Sequence, residues 1–393
     1  MINKVETTEL LKKLVSISSP YFEEQEIMEY AKAWFCKMGM KAFIHEYHED
    51  KVTGYHGQNV LLELEGTKPG PVICLNGHLD SVKLCNGWTK DSFGEVIEDK
   101  LYGLGALDMK SGCASIMVAV EHFFKEHKDF AGKIKVSLVS VEEGPYGMGT
   151  NALIEDGYLD DVDFSIITEP SAGFTGKPFP DLCLGARGGY GLEIEFYGKS
   201  AHAASPENGI SAVEDAAKVV LELKNIEYVE DPHLGKGTCC VVAINSDGGA
   251  CSVPDFASIK MFWHIVVGEG PDTITKQIEE AIKRAGVQCQ YKIKFREAPS
   301  ENSKGYMPYT VSEDDIMVGK FIESITKVTD KKPSISYFSS IGDFCYLGTR
   351  INAPAVIFGA AGENYHSEDE YVTLDSVHKT SEVIFDFLVK TLV

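Results

Sequence analysis

The 393-residue chain has no apolar run approaching the roughly 20 residues that span a bilayer, so no membrane-crossing helix is expected. The opening Met1–Glu6 does not read as a signal peptide. Positive charge is scarce: 37 Lys and Arg stand against 59 Asp and Glu, a net charge of −22. Such a deficit argues against nucleic acid or an anionic membrane as partner. Ten cysteines are scattered with no CxxC pair and no regular spacing, which points to reduced thiols and a cytoplasmic location. Internal repeats and low-complexity stretches are missing. GLGALDMKSG (Gly103–Gly112) lacks both the third glycine of a dinucleotide loop and a following GK[ST], so it is not read as a phosphate cradle.

What is present is an ordinary globular composition, 44% apolar and 24% charged, over a length that implies two domains. Helical and strand-like segments alternate to about residue 178 and again after about residue 295, the texture of an α/β sheet with helices on both faces. Between them, Leu192–Tyr197 alternates apolar and polar residues as a half-exposed antiparallel strand does. The reading is a catalytic domain formed by residues 1–180 and 295–393, with an α+β domain, 181–294, inserted into it.

The chemistry-bearing residues stand where strands end. Val72–Leu75 reads as a buried strand, Asn76-Gly77 as a turn signal, and His78 and Asp80 follow, two apart and on one side of an extended segment. Asp108 lies between the Gly103–Gly105 turn and a helix over 113–127. Lys133–Val141 reads as a strand running into Glu142-Glu143, whose carboxylates leave on opposite sides. Phe164–Thr168 ends in Glu169-Pro170, and His366 sits on a loop before the last helix. Carboxyl ends of strands are where open α/β sheets place ligands. Two imidazoles and three carboxylates (His78, Asp108, Glu143, Glu169, His366) suit zinc, with cobalt or manganese tolerated. One bridging carboxylate and two terminal ligands per ion is the two-metal hydrolase arrangement.

In GHLDS, GALDMKSG, SVEEG, TEP and HSEDEYV the sequence resembles the dizinc family of aminoacylases, acetylornithine deacetylases, succinyl-diaminopimelate desuccinylases and glutamate carboxypeptidases, over nearly its whole length. The resemblance implies a mixed sheet sandwiched by helices, with the insertion acting as a lid and dimerisation domain. It also implies two Zn(2+) per subunit, with Asp108 as the bridge. His78 and Glu169 would complete one site, Glu143 and His366 the other. Asp80 would orient His78, Glu142 would be the general base, and the Asp108–Met109 peptide would be cis. GKSAHAASPENG matches the lid motif and gives His202 the role of polarising the substrate, in trans within a homodimer. The chain departs from the family at Cys251, where Asn is usual, and at His264, where Arg is usual. Arg187 and His264 are then the candidate substrate contacts. The expected activity is hydrolysis of an N-acyl amino acid. Cleavage of small peptides is the alternative, and a non-catalytic binding relative a further one.

Overall fold

The computed structural model describes every residue except Met1, Asp247 and Ala250. Met1 of the opening hexapeptide and Ala250 beside Cys251 therefore lie outside the described residues. The chain divides into two compact units, Met1–Ala186 with Thr310–Val393, and Arg187–Tyr309. Among the described residues no helix is long and apolar enough to cross a membrane.

The larger unit is built on a nine-stranded mixed sheet. Its centre is four parallel strands, Ala131–Val139, Lys68–His78, Phe164–Ile167 and Ala355–Ile357, in that spatial order. Ile73, Cys74 and Leu75 are fully buried, as are Ile134, Val136 and Leu138, because helices cover both faces and leave no wet side to alternate towards. Tyr55–Glu65 and Phe43–Glu49 extend one flank antiparallel. Asp181–Ala186 joins the other flank, antiparallel to Ala355–Ile357 and parallel to Ser334–Phe338. Helices Ser111–Glu126 and Leu374–Leu392 pack together against the core. Since the central strands are parallel, their carboxyl ends share one rim, and the ends near His78, Val139, Ile167 and Ile357 open there.

The smaller unit is a four-stranded antiparallel sheet in the order Thr238–Asn245, Phe256–Ile265, Gly188–Tyr197, Gln290–Phe295. Helices Ala212–Glu222 and Pro271–Ala285 cover one face, burying Ile194, Phe196, Ile259 and Trp263. The inserted unit begins and ends later than the sequence texture indicates. Asp181–Ala186 pairs within the large sheet, so it belongs to the larger unit. Past residue 294, Arg296 N–H donates to the Gly191 carbonyl and Gly189 and Tyr306 exchange backbone hydrogen bonds, which keeps the chain in the small sheet to Tyr309.

Candidate metal centre

Each site residue of the larger unit is delivered by a strand end or by the loop beyond it. His78 closes its strand, with Nδ1 3.0 Å from the Asp80 carbonyl oxygen and 3.5 Å from Asp80 Oδ1. The closer partner is thus the main chain of Asp80, and its carboxylate, also against the ring, has a second task. Asp80 Oδ1 accepts the Glu142 N–H at 3.1 Å and Oδ2 accepts the Glu143 N–H at 2.9 Å. Beside its contact with His78, the carboxylate thus also holds the Glu142-Glu143 loop, a task that the sequence reading did not assign to it.

That loop also departs from the strand reading. The strand ends at Val139, two residues earlier than its apolar run indicates, and Val141 takes a left-handed backbone (φ 56°). The two glutamates therefore follow a change of chain direction at Val141 and are not oriented by strand alternation. Glu24, almost fully buried, accepts the Val141 N–H on Oε1 at 3.1 Å and the Tyr55 hydroxyl on Oε2 at 2.6 Å. A β-branched residue is costly in this conformation, and the buried carboxylate helps to hold it there.

Asp108 stands at the centre. Its Oδ1 lies 3.3 Å from His78 Nε2, and its Oδ2 lies 3.3 Å from His366 Nε2. His366 Nε2 is 2.8 Å from Glu143 Oε1, and His78 Nε2 is 3.5 Å from Glu169 Oε1. Ligand atoms within 4.8 Å of one another thus form two trios, His78–Asp108–Glu169 and Asp108–Glu143–His366, which share Asp108. The Asp108–Met109 peptide is cis. A third close group, Glu142–Glu169–Asp343, is wholly acidic. Glu142 Oε1 accepts the Asp343 N–H at 3.0 Å, which leaves Oε2 on the side of His78, 3.9 Å from Nε2.

The electrostatics show a site short of positive charge. Burial pushes the Glu142 carboxyl well above its usual range, and Asp343, Glu143 and Asp80 add to this against the pull of His78. Glu169 rises likewise, through burial and the Asp108 charge. Burial and Asp108 raise Glu143 to about 7. For the histidines burial works the other way but loses: Glu169, Asp108 and Asp80 carry His78 well above its ordinary value, and Asp108 and Glu143 raise His366 to about 11. Glu169 Oε2 is buried without a hydrogen-bond partner. Mixed N/O donors, excess buried carboxylate and an unsatisfied oxygen all fit a divalent cation, which stabilises ionised carboxylates that otherwise hold protons.

The remaining sequence candidates lie in the smaller unit. His202 is exposed on a loop; its Nδ1 accepts the Ala204 N–H at 3.1 Å, so in the neutral ring the proton sits on Nε2. Arg187 donates from Nε to the Leu234 carbonyl at 2.9 Å, and its charge adds to burial in lowering the pKa of His264. These two therefore share one neighbourhood. The acids Glu24, Asp343 and Glu370 escape the sequence reading because their partners, backbone amides for Glu24 and Glu370 and side-chain hydroxyls for Glu24 and Asp343, lie far along the chain. No local spacing marks them.

Residues 74–390 match the model of peptidase family M20/M25/M40. The chain belongs to this family. It is accordingly a metal-dependent hydrolase of amide bonds. Among curated relatives, the succinyl-diaminopimelate desuccinylase of Wolbachia pipientis wMel is 26% identical over 401 residues, covering 98% of this chain and 93% of the relative. The fold is shared with aminopeptidase PepT from Bacillus cereus ATCC 10987 (TM-score 0.80, 19% identity, 99% of each chain). It is shared too with a dinuclear metal binding M20 peptidase from Bacillus subtilis (TM-score 0.71, 15% identity, 99% of each chain).

Proposed function

We propose that this M20 family member hydrolyses the amide bond of an N-acyl amino acid, using two zinc ions per subunit. The observation that carries the reading is the division of Asp108, whose two oxygens face two different histidines, each with its own glutamate. In this reading His78, Glu169 and Asp108 would hold one ion, and Glu143, His366 and Asp108 the other. Bound there, the ions would acidify a shared water and polarise the scissile carbonyl.

The other roles fall to the chain's own groups. Glu142 is the general base: its Oε1 is tied to the Asp343 amide, and Oε2 remains to take the water's proton and return it to the departing amine. His202 presents Nε2–H as donor to the oxygen that gains charge during attack. Arg187 and His264 recognise the carboxylate of the amino-acid half. The acyl amino acid class is supported by the relatives' name, since a desuccinylase removes an acyl group from an amino acid.

The reading also includes a cytoplasmic homodimer in which His202 serves the partner's centre. Supporting it are the free cysteines and the edge strand Thr238–Asn245, whose outer side is open to pairing between copies. The deciding experiment is elemental analysis of metal-loaded protein combined with a panel of N-acyl amino acids and dipeptides. Two equivalents of zinc and turnover of acyl amino acids are expected. Preference for dipeptides would make the chain an exopeptidase, and two ions without any turnover would make it a non-catalytic binding relative.

A further inference from the structure

Glu370 lies in the HSEDEY stretch but has no place among the ligands or the reacting groups. It is nearly fully buried, and its carboxylate is filled by backbone amides of one short loop. Oε2 accepts the Gly105 N–H at 2.8 Å, and Oε1 accepts those of Leu107 at 2.8 Å and Asp108 at 3.0 Å. Its main-chain carbonyl takes a fourth amide, that of Gly103, at 3.0 Å. The loop needs such a grip. Gly105 is left-handed (φ 73°), and Asp108 and Met109 have non-helical backbones just before the helix that begins at Ser111. The amides of such an irregular stretch have no regular intrahelical acceptors.

The neighbouring strands set the register. Tyr371, Val372 and Thr373 pair with Tyr102, Leu101 and Lys100, which puts Glu370 beside the start of the loop. Four residues before Glu370 on the same segment is His366, 3.3 Å from Asp108 Oδ2. One segment thus meets Asp108 from two sides, its amide through Glu370 and its carboxylate through His366.

We propose that Glu370 is the positioning residue of the bridging carboxylate: by binding the 105–108 amides it fixes where both oxygens of Asp108 point, and so governs both metal sites together. This rests on the two-metal reading above. A shared bridge makes a distinctive signature, because loss of a terminal ligand loosens one ion whereas displacement of the bridge loosens both.

The test compares Glu370→Gln, Glu370→Asp and His366→Ala with wild type by chelator competition, elemental analysis and amide hydrogen exchange of the metal-free proteins. Glu370→Gln is expected to weaken both ions, each by roughly ten- to a hundred-fold, the range for residues that orient metal ligands. His366→Ala should weaken only one. Glu370→Asp keeps the charge on a shorter arm and should not restore affinity. Amides 105, 107 and 108 should exchange faster in Glu370→Gln while core strand amides do not. Unchanged exchange at those amides, restoration by Asp, or weakening of a single ion would overturn the assignment. If wild type itself bound fewer than two ions, the metal reading would fail, while the exchange of amides 105–108 would still decide whether Glu370 holds the loop.

Discussion

The loops that carry Asp108 and Glu142-Glu143 and the loop that carries His202 hold their side chains by opposite means. In the larger unit each loop is gripped by a buried carboxylate from a remote part of the chain, Asp80 from 62 and 63 residues away and Glu370 from 262 to 265. In the smaller unit His202 is exposed and is steadied by an amide two residues on. The first arrangement fixes geometry before anything binds, at the cost of burying charge. The second fixes only a tautomer and leaves the ring free to meet whatever faces it. Buried side-chain clamps are thus placed where ligand atoms must converge to within tenths of an ångström, and a single local hydrogen bond serves where one donor suffices.

The sharpest way to break this comparison is at the base. Glu142→Ala should lower turnover by roughly a hundred- to ten-thousand-fold and retain both ions by elemental analysis. Loss of an ion instead would exchange its role with that of Glu143. His202→Ala should cost about a hundred- to a thousand-fold in turnover with metal content unchanged. Mixing the two inactive variants under subunit exchange should restore activity, because one centre of the mixed dimer has both residues intact. Exchange without recovery would remove the trans assignment.

A gentler probe is Asp80→Asn, which replaces one acceptor of the loop amides by an NH2 group. A roughly ten- to hundred-fold loss of metal affinity is expected, with no loss of His78 as a ligand. An affinity equal to wild type would show that the Asp80 clamp is dispensable.

The Glu24 carboxyl also carries a pH signature. Burial, with Asp80 adding, raises Glu24 to about 7. A folded state that keeps a proton the unfolded chain releases near 4.5 is favoured at low pH. The contribution of Glu24 is therefore complete below about 4.5 and is lost as pH rises to about 7. The melting temperature of metal-free protein should fall across that window, and Glu24→Gln should flatten the slope by up to about 1.4 kcal/mol per pH unit. An unchanged slope would mean that Glu24 is ionised in the folded protein. The smallest effect is expected at Arg187, where Arg→Lys keeps the charge and loses the planar fork. A rise in KM of about tenfold with little change in kcat is expected, and an unchanged KM would take Arg187 out of substrate recognition.

The same contrast sets what could be read from residue order. The pairing of Asp108 with His78, Glu143, Glu169 and His366 came from the family resemblance, whereas the convergence of His78, Glu143 and Glu169 was legible because parallel strands put their carboxyl ends on one rim, and strands and helices announce themselves by their apolar patterns. Most element positions were legible for that reason, including Thr238–Asn245, Ser334–Phe338 and Leu374–Leu392. The task of Asp80 was half legible: its place beside His78 follows from period-two geometry, but its hold on residues 142 and 143 depends on where a turn at Val141 returns the chain. Glu24, Asp343 and Glu370 were not legible. A buried acid whose amide or hydroxyl partners lie far along the chain looks, in sequence, like any solvated acid. The extent of the insertion was misjudged for a related reason, since Asp181–Ala186 has the apolar character that either sheet would accept.

The position of Ala355–Ile357 bears on how the protein is made. This strand lies between Phe164–Ile167 and Asp181–Ala186, so the large sheet is completed at an interior position by a segment synthesised long after both its neighbours. Until then the nascent chain carries His78, Asp108, Glu143 and Glu169, but neither His366 nor the carboxylate that secures the Asp108 loop. The inserted unit, residues 187–309, is by contrast contiguous and is fully synthesised first. Synthesis therefore leaves the ligand set incomplete through the whole of the insertion, and the strand, loop and helix after residue 354 complete it.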